Sequence, residues 1–139
     1  MLKIDVKAKG PVFTNADPTL RRHAQNAIRN LVELGEQRLD QTLKPRPGGV
    51  YLTAGQAGKG KASTGHYRRN INSRVTPESG RIDDGGVIYG PWLEGIGSRN
   101  QSTRFKGYAS FRRVGQWLQK KAKGIAQVHV GRAVRDLQG

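Results

Sequence analysis

Thiols are absent from this chain and carboxylates are scarce: it has no cysteine, one methionine, and ten Asp and Glu against 25 Lys and Arg. Without thiols, neither a disulfide framework nor a thiolate zinc site can form. No apolar run approaches the roughly 20 residues that a membrane-spanning helix needs, so no membrane partner is expected. The N-terminus, Met1-Leu2-Lys3-Ile4-Asp5, alternates polarity and lacks the apolar segment of a signal peptide. Folding in a reducing cytoplasm is the resulting expectation. Large apolar residues are also few. Leu, Ile, Val and Phe make up 30 of 139 residues, just above the roughly 20% below which charged chains tend to stay disordered. One domain over residues 1–139 is expected, with a thin core that self-association would help to complete.

What is abundant is positive charge. The net charge is +15 and the pI is near 11.0, a balance that concentrates polyanions around the molecule. Its placement is uneven. Between Glu94 and Asp136 lie Arg99, Arg104, Lys106, Arg112, Arg113, Lys120, Lys121, Lys123, Arg132 and Arg135, with no acid among them. A solvated face that confers solubility is one reading. Contact with DNA or an acidic partner is the other, with Lys59, Lys61, Lys106, Arg112 and Arg113 as the candidate residues.

Leu2, Ile4, Val6 and Ala8 alternate with charged residues, the period of a half-buried strand. Asp17-Pro18 reads as an N-cap followed by a first-turn proline. Leu20, Ala24, Ile28, Leu31, Leu34 and Leu39 then follow at helical spacing, predicting a long amphipathic helix over 17–43, before Pro45. Val50-Tyr51-Leu52-Thr53 reads as a short strand, and 54–65 as a mobile Gly- and Lys-rich loop. Alternation over 67–75 predicts a strand. Its partner is expected at Val87-Ile88-Tyr89, across a long turn-rich connection over 76–86. Pro91-Trp92-Leu93-Glu94 reads as a helical turn, 95–107 as a polar basic loop, and 108–137 as a second long amphipathic helix carrying Phe111, Val114, Leu118, Ala122, Ile125, His129, Ala133 and Leu137 on one stripe. Gly115 and Gly124 weaken that helix by about 1 kcal/mol each relative to alanine and suggest close packing against the first. The fold class that follows is α+β, two long helices on a small antiparallel sheet with extended flexible loops.

Catalytic chemistry is hard to find. Gly55-Gln56-Ala57-Gly58-Lys59-Gly60-Lys61 matches the first seven positions of a P-loop, but Ala62 stands where Ser or Thr must hold magnesium. A strand pattern also follows where a helix should. The three histidines do not cluster: His129 reads as a packing residue, His23 as surface, and His66 as surface or partner contact. Glu33, Glu36 and Asp40 share the first helix with Arg29 and Arg38 and read as surface i,i+4 pairs. Asp83-Asp84 before Gly85-Gly86 reads as a turn. No two carboxylates stand out as an acid–base pair. The expectation is a non-enzyme without cofactor or metal. Glu94 admits two readings, a surface acid or an ion pair with an arginine of the same or a neighbouring subunit.

Two segments carry a resemblance. Ser63-Thr64-Gly65-His66-Tyr67-Arg68-Arg69-Asn70-Ile71 resembles the R-T-G-x-L-R-x-S-I stretch of tailed-bacteriophage neck and tail-completion proteins, and Tyr89-Gly90-Pro91-Trp92-Leu93-Glu94-Gly95-Ile96-Gly97 resembles their Y-A-x-Y-V-E-F-G-T. Ser63 and Tyr67 replace the family's Arg and Leu, and Gly95-Ile96 stands where Phe-Gly is usual. The similarity covers about 20 residues in motif and most of the chain in layout. It implies a structural protein of the virion's head–tail connector, assembled in the host bacterial cytoplasm. The subunit would form a homo-oligomeric ring, a hexamer, between adjacent connector and tail-tube proteins, with DNA passing through the channel. Tyr67, Arg68, Arg69, Tyr89, Trp92, Glu94, Arg99, Arg104 and Tyr108 are the implied contact residues. For the aromatics among them, as for Trp117, ordinary core packing is the plainer reading. The rival function is a sequence-nonspecific basic nucleic-acid-binding protein, although no recognition motif of that class is found.

Overall fold

The alternating N-terminus becomes strand β1 (Lys3–Lys7), which buries Ile4 and turns Lys3, Asp5 and Lys7 outward. The computed structural model describes residues 1–9, 17–43, 66–103 and 105–139. These form three strands and five helices, an α+β architecture. Helix α1 (Pro18–Thr42) begins where the cap signal stands: the Asp17 carboxylate accepts from the backbone N–H groups of Thr19 and Leu20, at 2.8 and 3.3 Å, and Pro18 occupies the first turn. One face of α1 buries Ala24, Ala27, Ile28, Leu31, Val32 and Leu39. Helix α2 (His66–Arg69) leads into β2 (Asn72–Val75), and β3 (Ser79–Asp83) follows. The sheet runs β1-β3-β2, antiparallel throughout, aligning Ile4 with Ile82 and Ser73, and Val6 with Gly80 and Val75. Short helices α3 (Gly90–Glu94) and α4 (Arg99–Ser102) precede the long α5 (Ser110–Gln138).

Helix α1 lies on the sheet. Glycine lets it come close at Gly80, where a Cβ would strike a Val32 methyl. Helix α5 runs antiparallel to α1: Trp117 lies beside Arg38, Leu118 meets Gly35, His129 meets Asn30 and Asp136 meets His23. Phe111, Val114 and Leu118 join Ile28, Leu31, Val32, Leu39, Tyr67 and Ile82 in one core.

Several expectations are corrected. The connection over 76–86 contains β3, the central strand: Ile82 is fully buried and its turn-like neighbours Gly80 and Asp83 pair on both sides. Turns are confined to the two ends of that stretch: Thr76 and Ser79 bond through both backbone and hydroxyl groups at its start, and Gly85-Gly86 turn against Asp83 and Asp84 at its end, as the sequence suggests. Residues 87–89 are not a strand, because β3 has already taken the partner's place; they turn into α3 and leave Ile88 93% exposed. Tyr67 belongs to a helical turn instead of a strand. The 95–107 stretch holds α4 and a buried Asn100. The glycine that admits the opposing helix is Gly35 on α1, whereas a Cβ at Gly124 would meet nothing and one at Gly115 only β1. The expected strand at 50–53, the P-loop-like stretch and the loop over 54–65 lie outside the described residues.

Candidate functional site

The segment from Tyr89 to Arg113 is tied to the body by a set of buried polar groups. Helix α5 starts at Ala109, a non-glycine residue in the left-handed region (φ 54°) with no side-chain cap of its own. Glu94 supplies the missing cap from 17 residues upstream. Its two carboxylate oxygens accept from the backbone N–H groups of Phe111 (2.8 Å) and Arg112 (3.0 Å). A carboxylate at a helix N-terminus is favoured by orphan N–H groups and by the helix dipole together. Alongside, the N–H groups of Tyr108 and Ala109 donate to the carbonyls of Leu93 and Glu94. Gly95 (φ 100°) and Gly107 (φ 91°) let these two stretches cross in contact, where a side chain on either would enter the other's backbone.

The intervening loop is organised by Asn100, buried at 4% exposure. Its amide donates to the carbonyls of Trp92 (3.0 Å) and Phe105 (3.1 Å), and its oxygen accepts from Gly97 N–H (2.9 Å). The Lys106 ammonium closes on the Asn100 carbonyl at 2.8 Å. Over this frame the Phe105 ring packs tilted against Trp92 and edge to face against Tyr108, centroids 5.0 and 4.9 Å apart, with the Arg99 guanidinium 5.7 Å from the Trp92 ring.

A second buried acid anchors the preceding turn. Asp84, with no exposed surface, accepts from the Tyr67 hydroxyl (2.9 Å) and from the N–H groups of Leu2 (3.2 Å) and Gly86 (3.0 Å). Burial first, and then the facing Asp84 charge, push the Tyr67 phenol far above its ordinary value. Burial likewise raises that of Tyr89.

The candidate residues thus differ in their settings. Tyr67 and Glu94 are internal: the first is a core ring, the second a helix cap. Glu94 is neither a surface acid nor, among the described residues, paired with an arginine. Arg68 is bound by the Asp40 carboxylate in a two-point contact, at 2.5 and 2.9 Å. Asp40 therefore reaches across to α2, and no ion pair joins Glu33 or Glu36 to Arg29 or Arg38 among the described residues. Arg69, Arg99, Lys106, Arg112 and Arg113 are exposed, and Tyr89, Trp92 and Tyr108 half-buried. Lys59, Lys61 and Arg104 lie outside the described residues.

Residues unmarked in the sequence do much of the holding. His23 is buried and bonded to Asp136 at 2.6 Å, contrary to its expected surface position. Asp84 could have been found by parity alone: the strand alternation that turns Gly80 and Ile82 inward puts Asp84 on the same side. Among the described residues no group of three or more His, Asp or Glu is placed to hold a metal ion, and no helix is long and apolar enough to cross a membrane. Comparison with protein-family models, with curated proteins and with solved structures returned no match.

Proposed function

We propose that this protein is a structural, non-enzymatic subunit of a tailed-phage head–tail connector, working by head-to-tail assembly into a closed ring. The observation that supports it best is a pair of bare isoleucines on fixed backbone. Ile88 is 93% and Ile96 66% exposed, one on each side of α3, within and beside the segment that carries the resemblance. Neither sits on a loose loop. Three backbone groups tie the turn at Ile88 down, Gly86 N–H to Asp84 and the Val87–Gly90 pair to each other, while Ile96 and Gly97 N–H both close on the Pro91 carbonyl. Single exposed apolar residues are common and carry no message. Two of them held by buried polar side chains form a preordered docking edge, because little conformational entropy is left to lose when a neighbour covers them.

A ring requires a different patch on each side of the subunit and a rotation that closes. Val134 and Leu137, each about half exposed and one turn apart at the far end of α5, offer such a second patch. The experiment is an Ile88→Asp, Ile96→Asp double variant, sized beside the wild type by analytical ultracentrifugation. Both side chains are already in water, so helix content should be unchanged, while the oligomer dissociates. A double variant that assembles like the wild type would overturn this edge as the contact.

A further inference from the structure

The outward face of α5 carries cations that no carboxylate answers. Opposite the stripe that buries Phe111, Val114, Leu118, His129 and Ala133, the helical period places Arg112, Arg113, Lys120, Lys123 and Arg135, all exposed. None of the five forms an ion pair among the described residues, whose pairs involve Asp5, Asp40 and Asp136 only. Lys120 and Lys123 stand one turn apart as like charges, an arrangement that costs a helix a few tenths of a kcal/mol. The positions between are Gln116, Gln119, Gly124, Gln127, Gly131 and Val134. A Cβ at Gly124 or Gly131 would meet nothing within 4 Å, so the helix backbone is open to close approach there.

We infer that this face binds the phosphate backbone of duplex DNA without reading its sequence. Three features select that occupant. The cations run from Arg112 to Arg135, about 35 Å at 1.5 Å per residue, close to one turn of B-form duplex. From Gln116 to Gly131 the face has glutamines and glycines where an acidic protein partner would need apolar anchors, and its exposed apolar residue, Val134, stands beyond them near the C-terminal end. Trp117 shares the helical angle of Arg135, but its ring is half-buried and flanked by Arg38 and Lys121 at 5.0 and 5.9 Å, so it is not free to stack unpaired bases as single-strand binders require. Long polar side chains around small ones suit contacts that position a duplex by its phosphates. This goes beyond the assembly reading and does not rest on it.

The test is fluorescence anisotropy with a labelled 20-base-pair duplex of arbitrary sequence, titrated with the full chain at 50 to 200 mM salt. Five neutralised phosphates give a slope of log K against log salt of about −4.5, roughly a 500-fold loss across that range. Replacing Arg113, Lys120 and Lys123 together by Gln should lower the affinity more than tenfold and flatten the slope to about −2. The variant Arg21→Gln, Arg29→Gln, Arg74→Gln removes the same charge from exposed positions on α1 and β2 and should stay within about threefold of the wild type. Equal losses in the two triple variants would show attraction by net charge alone and overturn the assignment. So would a 20-nucleotide single strand or polyglutamate competing as well as the duplex. Sedimentation of each variant reports assembly separately.

Discussion

Replacing Glu94 by alanine perturbs the joint on which the α3–α5 segment turns. The change removes two bonds from a carboxylate to backbone N–H groups, at 2.8 and 3.0 Å, and leaves the Phe111 N–H buried. A hydrogen bond to a charged group contributes about 1.5–3 kcal/mol, and a lost N-cap costs about 0.5–2. These overlap, so about 3 kcal/mol is expected for Glu94→Ala. Glu94→Gln keeps one acceptor but turns an NH2 toward a donor, and about half that loss is expected. With ~2.1 cal/mol/K per residue over 139 residues, 3 kcal/mol lowers Tm by about 10 °C. Urea unfolding followed by tryptophan fluorescence, at one fixed protein concentration because assembly shifts apparent stability, measures it. A Glu94→Ala protein within 0.5 kcal/mol of the wild type would refute the capping role. If the same variant stayed stable but lost its oligomer, Glu94 would be a contact residue after all.

Two further outcomes follow from packing and charge. Gly35→Ala drives a Cβ to 2.5 Å from Leu118 Cδ1 and 2.7 Å from Ile82 Cδ1, both buried; overpacking should outweigh the gain in helix propensity and cost about 1 kcal/mol net, while Gly124→Ala, in open space, should stabilise by about 1 kcal/mol. Thermal unfolding of the two variants decides this, and equal effects would contradict the α1–α5 geometry. His129 is held below its usual 6.5 by burial first, then by Arg132 and His23; the unfolded chain takes up its proton first as pH falls, so stability should be full above about pH 6.5 and decline below it. Urea midpoints across pH 7.5 to 5.0 should show the decline, and His129→Gln should lessen it; an identical profile in the variant would remove His129 as its source.

Parts of this fold were legible because their signals are local. Asp17 and Pro18 mark the start of α1 within two residues, and most of the apolar spacing of α1 and α5 coincides with their buried residues, whereas Leu137, expected on the stripe of α5, is exposed. Strand β3 was illegible because Ser79, Gly80 and Asp83 have turn composition; two flanking strands and an approaching helix, all distant in sequence, override it. The same distance hid the buried polar groups. Glu94 meets its partner 17 residues on, while Asp84 and Leu2 are 82 apart and His23 and Asp136 are 113 apart. A carboxylate that caps a remote helix looks in sequence like any surface acid. The resemblance pointed to the Tyr89–Gly97 segment, and physical reading of that segment makes its glutamate a brace for the surface rather than a part of it.

The central claim is assembly into a ring that closes, and the mass of the purified particle over a range of concentrations tests it most directly. The account predicts one species at a fixed whole-number multiple of 15.3 kDa, whose size stops growing as concentration rises, because a closed heterologous ring has no free end. A mass that remains at 15.3 kDa throughout, or that grows without limit, would contradict it.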